Sequence, residues 1–532
     1  MTGVSKKKAI LFGLLFVMAL MPRLLGITFH SLWFDEASTA NMISQKNVES
    51  MLKALSRVEG TPPLFYLLEK GFIDLFHLPI DEFFLRFLPM VFGALSCVIY
   101  FLLFKEISSA VVARYAFVLV ALSNFHINLS QEARSYSLFG LFALLSLCVT
   151  VLWWKRRSRI LSLAIILSLV LTMVIHYYGL IWAAAVLCAV LLIKPKNRQM
   201  RDFFFLAAFS AVISFALLIP FFISQLHNEI AREYLIAKWL PGIVYSPIKV
   251  LIGAYLFKIK TVREISVADL IGIIPTAVIA LIAVRFFIKR VFRKEIGDSE
   301  KIVVLSFILA FCVHIAIGWK FPTIHPRYMA HFLILLFGII LINTAHKKKL
   351  MIGAFVIIIG LNAVAAYKYF DPSPAYFEPW RDIVAEAERF ISSTGTKEGP
   401  ILADGESCLP ISFYLKKKTS ILYYFPNLTN PEMQFDYELT KIFGHEFFSP
   451  PFRYSDDPRL SRTSVISILN KYDRGIIVTR DPTRVGEDTP LLERCPEDKE
   501  ISVLKVFKTN QGKIILYKWI SLAKINAYSS PY

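Results

Sequence analysis

Residues 9–37 read AILFGLLFVMALMPRLLGITFHSLWFDEA. The first two thirds form an apolar run of about bilayer length, which ends a few residues before two adjacent acids, Asp35 and Glu36. A carboxylate costs free energy as it nears a low-dielectric region unless it is paired or hydrated. These residues alone leave two interpretations open: the start of a solvated loop, or a base or ligand held at the membrane surface.

Apolar runs of this kind recur along the first 370 residues. The chain has 532 residues, 56% of them hydrophobic, and its mean hydropathy of +0.55 is far above that of a soluble protein. The runs lie at 9–27, 83–104, 110–123, 136–154, 160–175, 180–193, 202–222, 270–288, 302–319, 328–344 and 350–367. The sequence therefore predicts a polytopic α-helical membrane protein with about eleven transmembrane helices.

The positions of the basic residues predict the orientation. Short Lys/Arg clusters occur on every second loop, beginning with Lys6–Lys8 and ending with Lys347–Lys349. By the positive-inside rule these loops and the N-terminus are cytoplasmic, in a multi-pass protein of the cell (plasma or inner) membrane. Residues 1–370 carry 38 basic and 18 acidic residues, against 21 and 22 afterwards. The net charge of +19 therefore belongs to the membrane part and does not indicate a nucleic-acid partner.

Residues 371–532 have the composition of a soluble domain, and with an odd number of spans they lie outside the cytoplasm. A helix is predicted at Trp380–Ile391. Short strands are predicted at 401–403, 421–424 and 475–479, and a hairpin at 501–507 and 513–519. The predicted domains are a transmembrane domain at 1–370 and a small extracytoplasmic α/β domain at 371–532. Cys408 and Cys495 share this outer region, which permits a disulfide or two free thiols.

The outer loop at 28–82 is too long for a plain connection. Asn41–Leu55 has apolar positions at approximately helical spacing, which predicts a helix along the membrane surface. Thr61-Pro62-Pro63 interrupts the pattern, and Leu64–Phe76 resumes it as a second amphipathic segment.

Polar residues with catalytic or binding chemistry gather at the predicted outer face. They are Asp35, Glu36, Thr61, His126, Gln131, Glu132, Arg134, His176, Tyr177, Tyr178, Lys320, His325, Arg327 and Tyr328. A phosphate at the interface needs cationic or N–H donors, and activation of a hydroxyl needs a carboxylate or histidine base. Both kinds are present, although a single such side chain at a helix end is more often only an interfacial residue.

Several of these residues lie in recognisable motifs. Ser31-Leu32-Trp33-Phe34-Asp35-Glu36-Ala37, Thr61-Pro62-Pro63-Leu64-Phe65-Tyr66-Leu67-Leu68 and Leu85-Arg86-Phe87-Leu88-Pro89 occur in this order, followed by 124–126, 130–136 and 176–179. Over roughly residues 9–370 the chain resembles the multispanning glycosyltransferases of the GT-C fold. Its motifs are similar to those of protein O-mannosyltransferases and lipid A aminoarabinose transferases.

The resemblance implies transfer of a sugar from a polyprenyl phosphate to a glycan, lipid or protein acceptor outside the cytoplasm. It implies that Asp35 is the catalytic acidic residue of the first outer loop, with Glu36 beside it, and that Glu132 is a second-loop acid. Relatives often carry Lys or His where this chain has Thr61, so phosphate binding is assigned to Arg134 and Arg327. The other residues expected to bind donor or substrate are His176, Tyr178, His325 and Tyr328.

Two other functions remain open on the sequence. A transporter or lipid flippase would place ionisable groups and broken helices near the bilayer midplane, whereas here the spans lack mid-span acids. A non-catalytic subunit that binds a sugar lipid is the third. No cofactor is implied, and a divalent metal stays open because Asp35 and Glu36 alone are too few ligands to argue for one.

Overall fold

The computed structural model describes most of the membrane part and the core of the C-terminal part. The described residues are 3–193, 197–226, 247, 250–251, 267–320, 326–370, 378–392, 399–415, 420–425, 473–479, 499–509 and 512–521. They form two compact units. The first unit comprises Met1–Ile27 and Glu59–Asp371, and the second comprises Thr28–Val58 and Pro372–Tyr532. The second unit thus includes a segment of the chain that precedes most of the apolar helices.

The regular secondary structure of the first unit's described residues is entirely helical. Its helices are α1 (Gly3–Leu24), α4 (Leu64–Phe76), α5 (Glu82–Ile107), α6 (Ala110–Ala121), α7 (Asn124–Ser130), α8 (Tyr136–Arg156), α9 (Arg159–Ile175), α10 (Tyr178–Leu192), α11 (Asn197–Leu226), α12 (Val267–Phe292), α13 (Asp298–Lys320), α14 (Pro326–Leu333), α15 (Leu335–Thr344) and α16 (Lys348–Tyr369). Every predicted apolar run coincides with a helix or, at 328–344, with the consecutive helices α14 and α15. Among the described helices six are long and apolar enough to cross a membrane, and α6 with α7, bent by 59°, is a candidate seventh. The count of eleven spans stays a prediction.

A buried arginine fixes the break between α6 and α7. Arg23, fully buried on α1, donates to the carbonyl of Ala121 at 3.1 Å, where α6 ends. The same guanidinium lies 2.7 Å from Nδ1 of His126 and donates to Oγ of Ser130 at 3.2 Å. The last carbonyls of a helix have no partner within it. Arg23 therefore supplies a donor at the place where the helix breaks, and two side chains of α7 share the same cation.

The second unit begins with two short helices, α2 (Phe34–Ile43) and α3 (Val48–Val58). The prediction of one helix over Asn41–Leu55 is wrong, because the chain turns between these helices. The Ser44 hydroxyl donates to the carbonyl of Asn41, and Oδ1 of Asn47 accepts the N–H of Ser50 at 2.8 Å. Both side chains satisfy backbone groups outside a continuous helix. The second amphipathic segment is confirmed as α4.

The remainder of the second unit is a small α/β structure. Its elements are α17 (Trp380–Ser392), β1 (Gly399–Asp404), α18 (Gly405–Tyr414), β2 (Ser420–Phe425), β3 (Arg474–Thr479), β4 (Lys499–Thr509) and β5 (Gly512–Ser521). The strand order is β2-β1-β3-β5-β4, with β1 parallel to β2 and β3, and β5 antiparallel to β3 and β4. Trp380 and Trp519 are fully buried. All the predicted strands are present, the predicted α/β character of this part is confirmed, and α18 was missed.

Candidate active site

Asp35 and Glu36 occupy the first turn of α2, in the second unit. Unpaired backbone N–H groups at a helix N-terminus favour negative charge. Oε2 of Glu36 accepts the N–H of Trp33 at 3.4 Å, and Glu36 is only 1% exposed. Glu36 thus reaches back to the residue that precedes the helix, as the third residue of a capping box does. Asp35 is half-buried, so it is the better placed of the two acids to meet a substrate.

The residues just before Asp35 are held by the C-terminal part of the same unit. The N–H of Leu32 donates to the hydroxyl of Tyr414 at 2.7 Å, and this contact is buried. The N–H of Arg381 donates to Oγ of Ser31 at 3.3 Å, and its guanidinium donates to the carbonyl of Thr28. Helix α2 also packs against α18. The position of the acidic turn therefore depends on contacts between residues 350 to 382 positions apart in the sequence.

The first unit contains the other predicted site residues that the structure describes. Four of them come together from two distant parts of the chain. The ring centroids of His176 and Tyr178 are 5.4 Å apart, those of His176 and Tyr328 are 5.8 Å apart, and the rings of Tyr178 and Tyr328 stack at 5.4 Å. Arg327 lies over the Tyr328 ring at 5.9 Å. His325 lies outside the described residues.

The turn between α9 and α10 brings His176 into this group. A Cβ on Gly179 would lie 2.3 Å from the carbonyl oxygen of Thr172 in the preceding helix. Only glycine fits such a close approach without movement of the backbone. The Gly179 position therefore keeps the turn tight and holds His176 and Tyr178 at the end of the helix pair.

Two histidines absent from the predicted site lie against the same rings. The His314 ring stacks on Tyr178 at 5.0 Å, and the His331 ring lies 6.1 Å from that of His314. We call this set the histidine cluster; its members are His176, His314, His331, Tyr136, Phe139, Tyr178 and Tyr328. Burial, followed by the charges of Arg134 and His314, lowers the pKa of His176 to about 3. His176 is therefore neutral at physiological pH.

Arg134 forms a buried ion pair that the sequence did not reveal. Its two terminal nitrogens donate to the two carboxylate oxygens of Glu59 at 2.9 and 3.1 Å, and one also donates to the hydroxyl of Tyr66 at 2.9 Å. Burial raises the pKa of Tyr66, so this hydroxyl keeps its proton. Glu132, the predicted second-loop acid, is half-buried two residues before Arg134. The Arg134 guanidinium is thus already paired with the Glu59 carboxylate, whether or not it also binds a ligand.

Two of the missed residues carried a usable signal and a third did not. His314 and His331 are ionisable residues within apolar helices, a pattern that by itself marks functional sites in membrane proteins. Glu59 stands in an ordinary polar loop, and only its pairing with Arg134 makes it notable. Among the described residues, no three His, Cys, Asp or Glu side chains are grouped so that they could hold a metal ion.

The comparisons with known proteins give structural likeness only. No protein-family model matches the sequence, and no curated protein matches it. ArnT from Cupriavidus metallidurans is 12% identical over the whole of both chains, with a TM-score of 0.47. The Archaeoglobus fulgidus oligosaccharyltransferase is 11% identical over 75% of this chain and 61% of its own, also with a TM-score of 0.47. The S. cerevisiae protein O-mannosyltransferase Pmt1-Pmt2 complex is 20% identical over 41% and 34% of the chains, with a TM-score of 0.34.

Proposed function

We propose that the protein is an integral-membrane glycosyltransferase. It transfers a sugar from a polyprenyl phosphate to a glycan, lipid or protein acceptor outside the cytoplasm. The observation that carries the proposal is the grouping of His176, Tyr178, Arg327 and Tyr328. A cation beside neutral hydrogen-bonding groups and aromatic rings suits a ligand with a phosphate at one end and a hydroxylated ring at the other.

The proposed chemistry is a single displacement. The acceptor hydroxyl attacks the anomeric carbon, the bond from that carbon to the phosphate oxygen breaks, and the polyprenyl phosphate leaves with the electron pair. Asp35 takes the proton of the attacking hydroxyl as general base. Arg327 stabilises the charge on the leaving phosphate, with Arg134 as the second cation. The anomeric configuration is inverted by such a step.

A transfer assay tests this function. Purified protein in proteoliposomes receives radiolabelled polyprenyl phosphate sugars and a membrane extract as the source of acceptor. The wild type should release polyprenyl phosphate and move the label to the acceptor, and Asp35→Asn should lower this rate about 10²–10⁴-fold. Glu49→Gln is the matched control, since Glu49 is an exposed acid in the same unit. Label that crosses the bilayer while it stays lipid-linked would instead identify a flippase.

The phosphate role has its own variant series. Arg327→Ala should weaken donor binding strongly and Arg327→Lys should restore it only in part, because a lysine cannot form the bidentate fork to a phosphate. Arg114→Ala is the control, since Arg114 is an exposed cation at the other end of the helices. Equal donor affinity in Arg327→Ala and the control would remove Arg327 from the site.

A further inference from the structure

The hydrogen bonds of two histidines in the cluster assign their tautomers. Nδ1 of His176 accepts the N–H of Tyr178 at 3.3 Å, so the proton of the neutral ring is on Nε2. Nδ1 of His314 lies 2.7 Å from the carbonyl oxygen of Ala310, which can only accept, so here the proton is on Nδ1. His176 therefore presents a donor at Nε2, and His314 presents an acceptor at Nε2.

Both of these Nε2 atoms are buried, and neither has a hydrogen-bond partner in the described part of the chain. A buried donor and a buried acceptor without partners each cost free energy. The two rings lie against a common neighbour, with centroids 5.4 and 5.0 Å from that of Tyr178. A ligand group that both donates and accepts would satisfy both atoms, and a hydroxyl is such a group.

The surroundings match a neutral sugar better than a cationic one. The cluster is rich in aromatic rings, with those of Tyr178 and Tyr328 at an interplanar angle of 11°, and aromatic side chains pack well against the C–H groups of sugars. Among the described residues, the charged side chains that act on His176 and Tyr136 are cations. Arg134 lowers the pKa of His176, and Arg327 lies 5.8 Å from the Tyr136 ring. An ammonium group on the sugar would meet repulsion here.

We propose that His176 and His314 select the sugar of the donor lipid. His176 donates from Nε2 to a sugar oxygen and His314 accepts from a sugar hydroxyl at Nε2, so the transferred group is a neutral, hydroxylated sugar and not an amino sugar. This inference rests on the proposed transferase function. It assigns the sugar end of the donor to the histidine cluster and leaves the phosphate end to the arginines.

The test combines changes in the protein with changes in the sugar. The probes are synthetic polyprenyl phosphates carrying glucose, galactose or mannose, each with its monodeoxy and aminodeoxy analogues. For the wild type, kcat/KM should fall about tenfold when the recognised hydroxyl is absent from the sugar. For His314→Leu, kcat/KM on the full sugar should be about tenfold below the wild-type value. The same variant should show no additional loss on the deoxy analogue. His314→Gln should recover most of the loss seen in His314→Leu, and His176→Gln should keep most of the wild-type kcat/KM. In each case the glutamine amide places an acceptor or a donor near the Nε2 position. His346→Leu is the control, since His346 is an exposed histidine elsewhere in the same unit.

The outcomes separate this inference from the proposed function. A purely structural role for the histidines would lower kcat/KM equally for every sugar. If the ratio of kcat/KM on the full sugar to kcat/KM on the deoxy analogue were the same in the wild type and His314→Leu, the inference would be overturned while transfer itself persisted. Preference for the aminodeoxy analogues would overturn it as well. Equilibrium binding of the same radiolabelled lipids to purified protein gives the same comparison without turnover. An absence of transfer with discrimination still seen in binding would therefore count against the transferase and for the sugar selectivity.

Discussion

Arg134 and Glu59 are a buried pair whose charges depend on each other. Breaking such a pair from one side leaves an uncompensated charge, which costs about 3–5 kcal/mol, whereas replacing both partners by apolar residues is often nearly neutral. Arg134→Met should therefore lower the unfolding temperature in detergent far more than Arg134→Met combined with Glu59→Leu. Arg156→Ala is the control, because Arg156 pairs with Glu106 near the surface and such pairs contribute little. Similar losses in the single and double variants would contradict the account. Donor binding measured on the stable double variant would show whether Arg134 also contacts phosphate.

His176 makes stability depend on pH with a definite sign. Its folded-state pKa of about 3 lies below the unfolded value of about 6.5. In the interval between them the unfolded chain binds a proton that the folded chain excludes, so stability is lost as the pH falls below about 6.5. The loss approaches about 1.4 kcal/mol per pH unit. His176→Gln should lose less thermal stability than the wild type between pH 7.5 and pH 5.0, while His346→Gln should behave as the wild type. Equal acid sensitivity in His176→Gln and the wild type would contradict the pKa assignment.

At the scale of elements, α18 controls the geometry in front of α2. Tyr414→Phe removes the hydroxyl that accepts the N–H of Leu32, and a displacement of the acidic turn by about 1 Å can cost about 10²-fold in rate. We expect kcat for transfer to fall 10- to 100-fold, with the KM for the donor unchanged because the proposed donor contacts lie in the first unit. Tyr517→Phe, which removes a hydroxyl elsewhere in the same unit, is the control. A change in KM with kcat preserved would show that Tyr414 does not position Asp35.

The elements also show what the sequence could and could not predict. Every predicted apolar run corresponds to a helix, because hydropathy and the spacing of apolar residues are local properties of the chain. The hairpin β4–β5 was predicted for the same reason, since the turn and both strands lie close together in the sequence, between Lys499 and Ser521. The break between α2 and α3 was missed because side chains such as Asn47 compete with the helix for backbone groups. The pairs Arg134–Glu59 and Leu32–Tyr414 could not be predicted from the sequence, since only tertiary packing brings these residues together.

At the scale of the whole molecule, the alternating basic clusters predict that the N-terminus is cytoplasmic and the C-terminal unit is extracytoplasmic. A reporter fused after Lys349 should therefore be active only as a cytoplasmic reporter, and one fused after Lys518 only as an external reporter. Replacing the lysines at 347–349 with neutral residues should lower the fraction of protein in this orientation. The control is Lys301→Gln, which should leave the orientation unchanged, since Lys301 is an exposed residue paired with Asp298. If both fusions report the cytoplasm, the span count is wrong by one, and Asp35 could not act outside the cell.

The division of the chain between its two units has one more consequence. The polypeptide passes from one unit to the other three times, after Ile27, after Val58 and after Asp371. A cut at the last of these points separates α2 covalently from α18, but the two helices still pack against each other within one unit. Residues 1–371 and 372–532, made as separate polypeptides, should therefore associate into the folded protein without a peptide bond between them. The Leu32–Tyr414 hydrogen bond would be one of the contacts that join the two fragments. Neither fragment would be a complete folding unit alone, so each should be degraded in a cell that lacks the other.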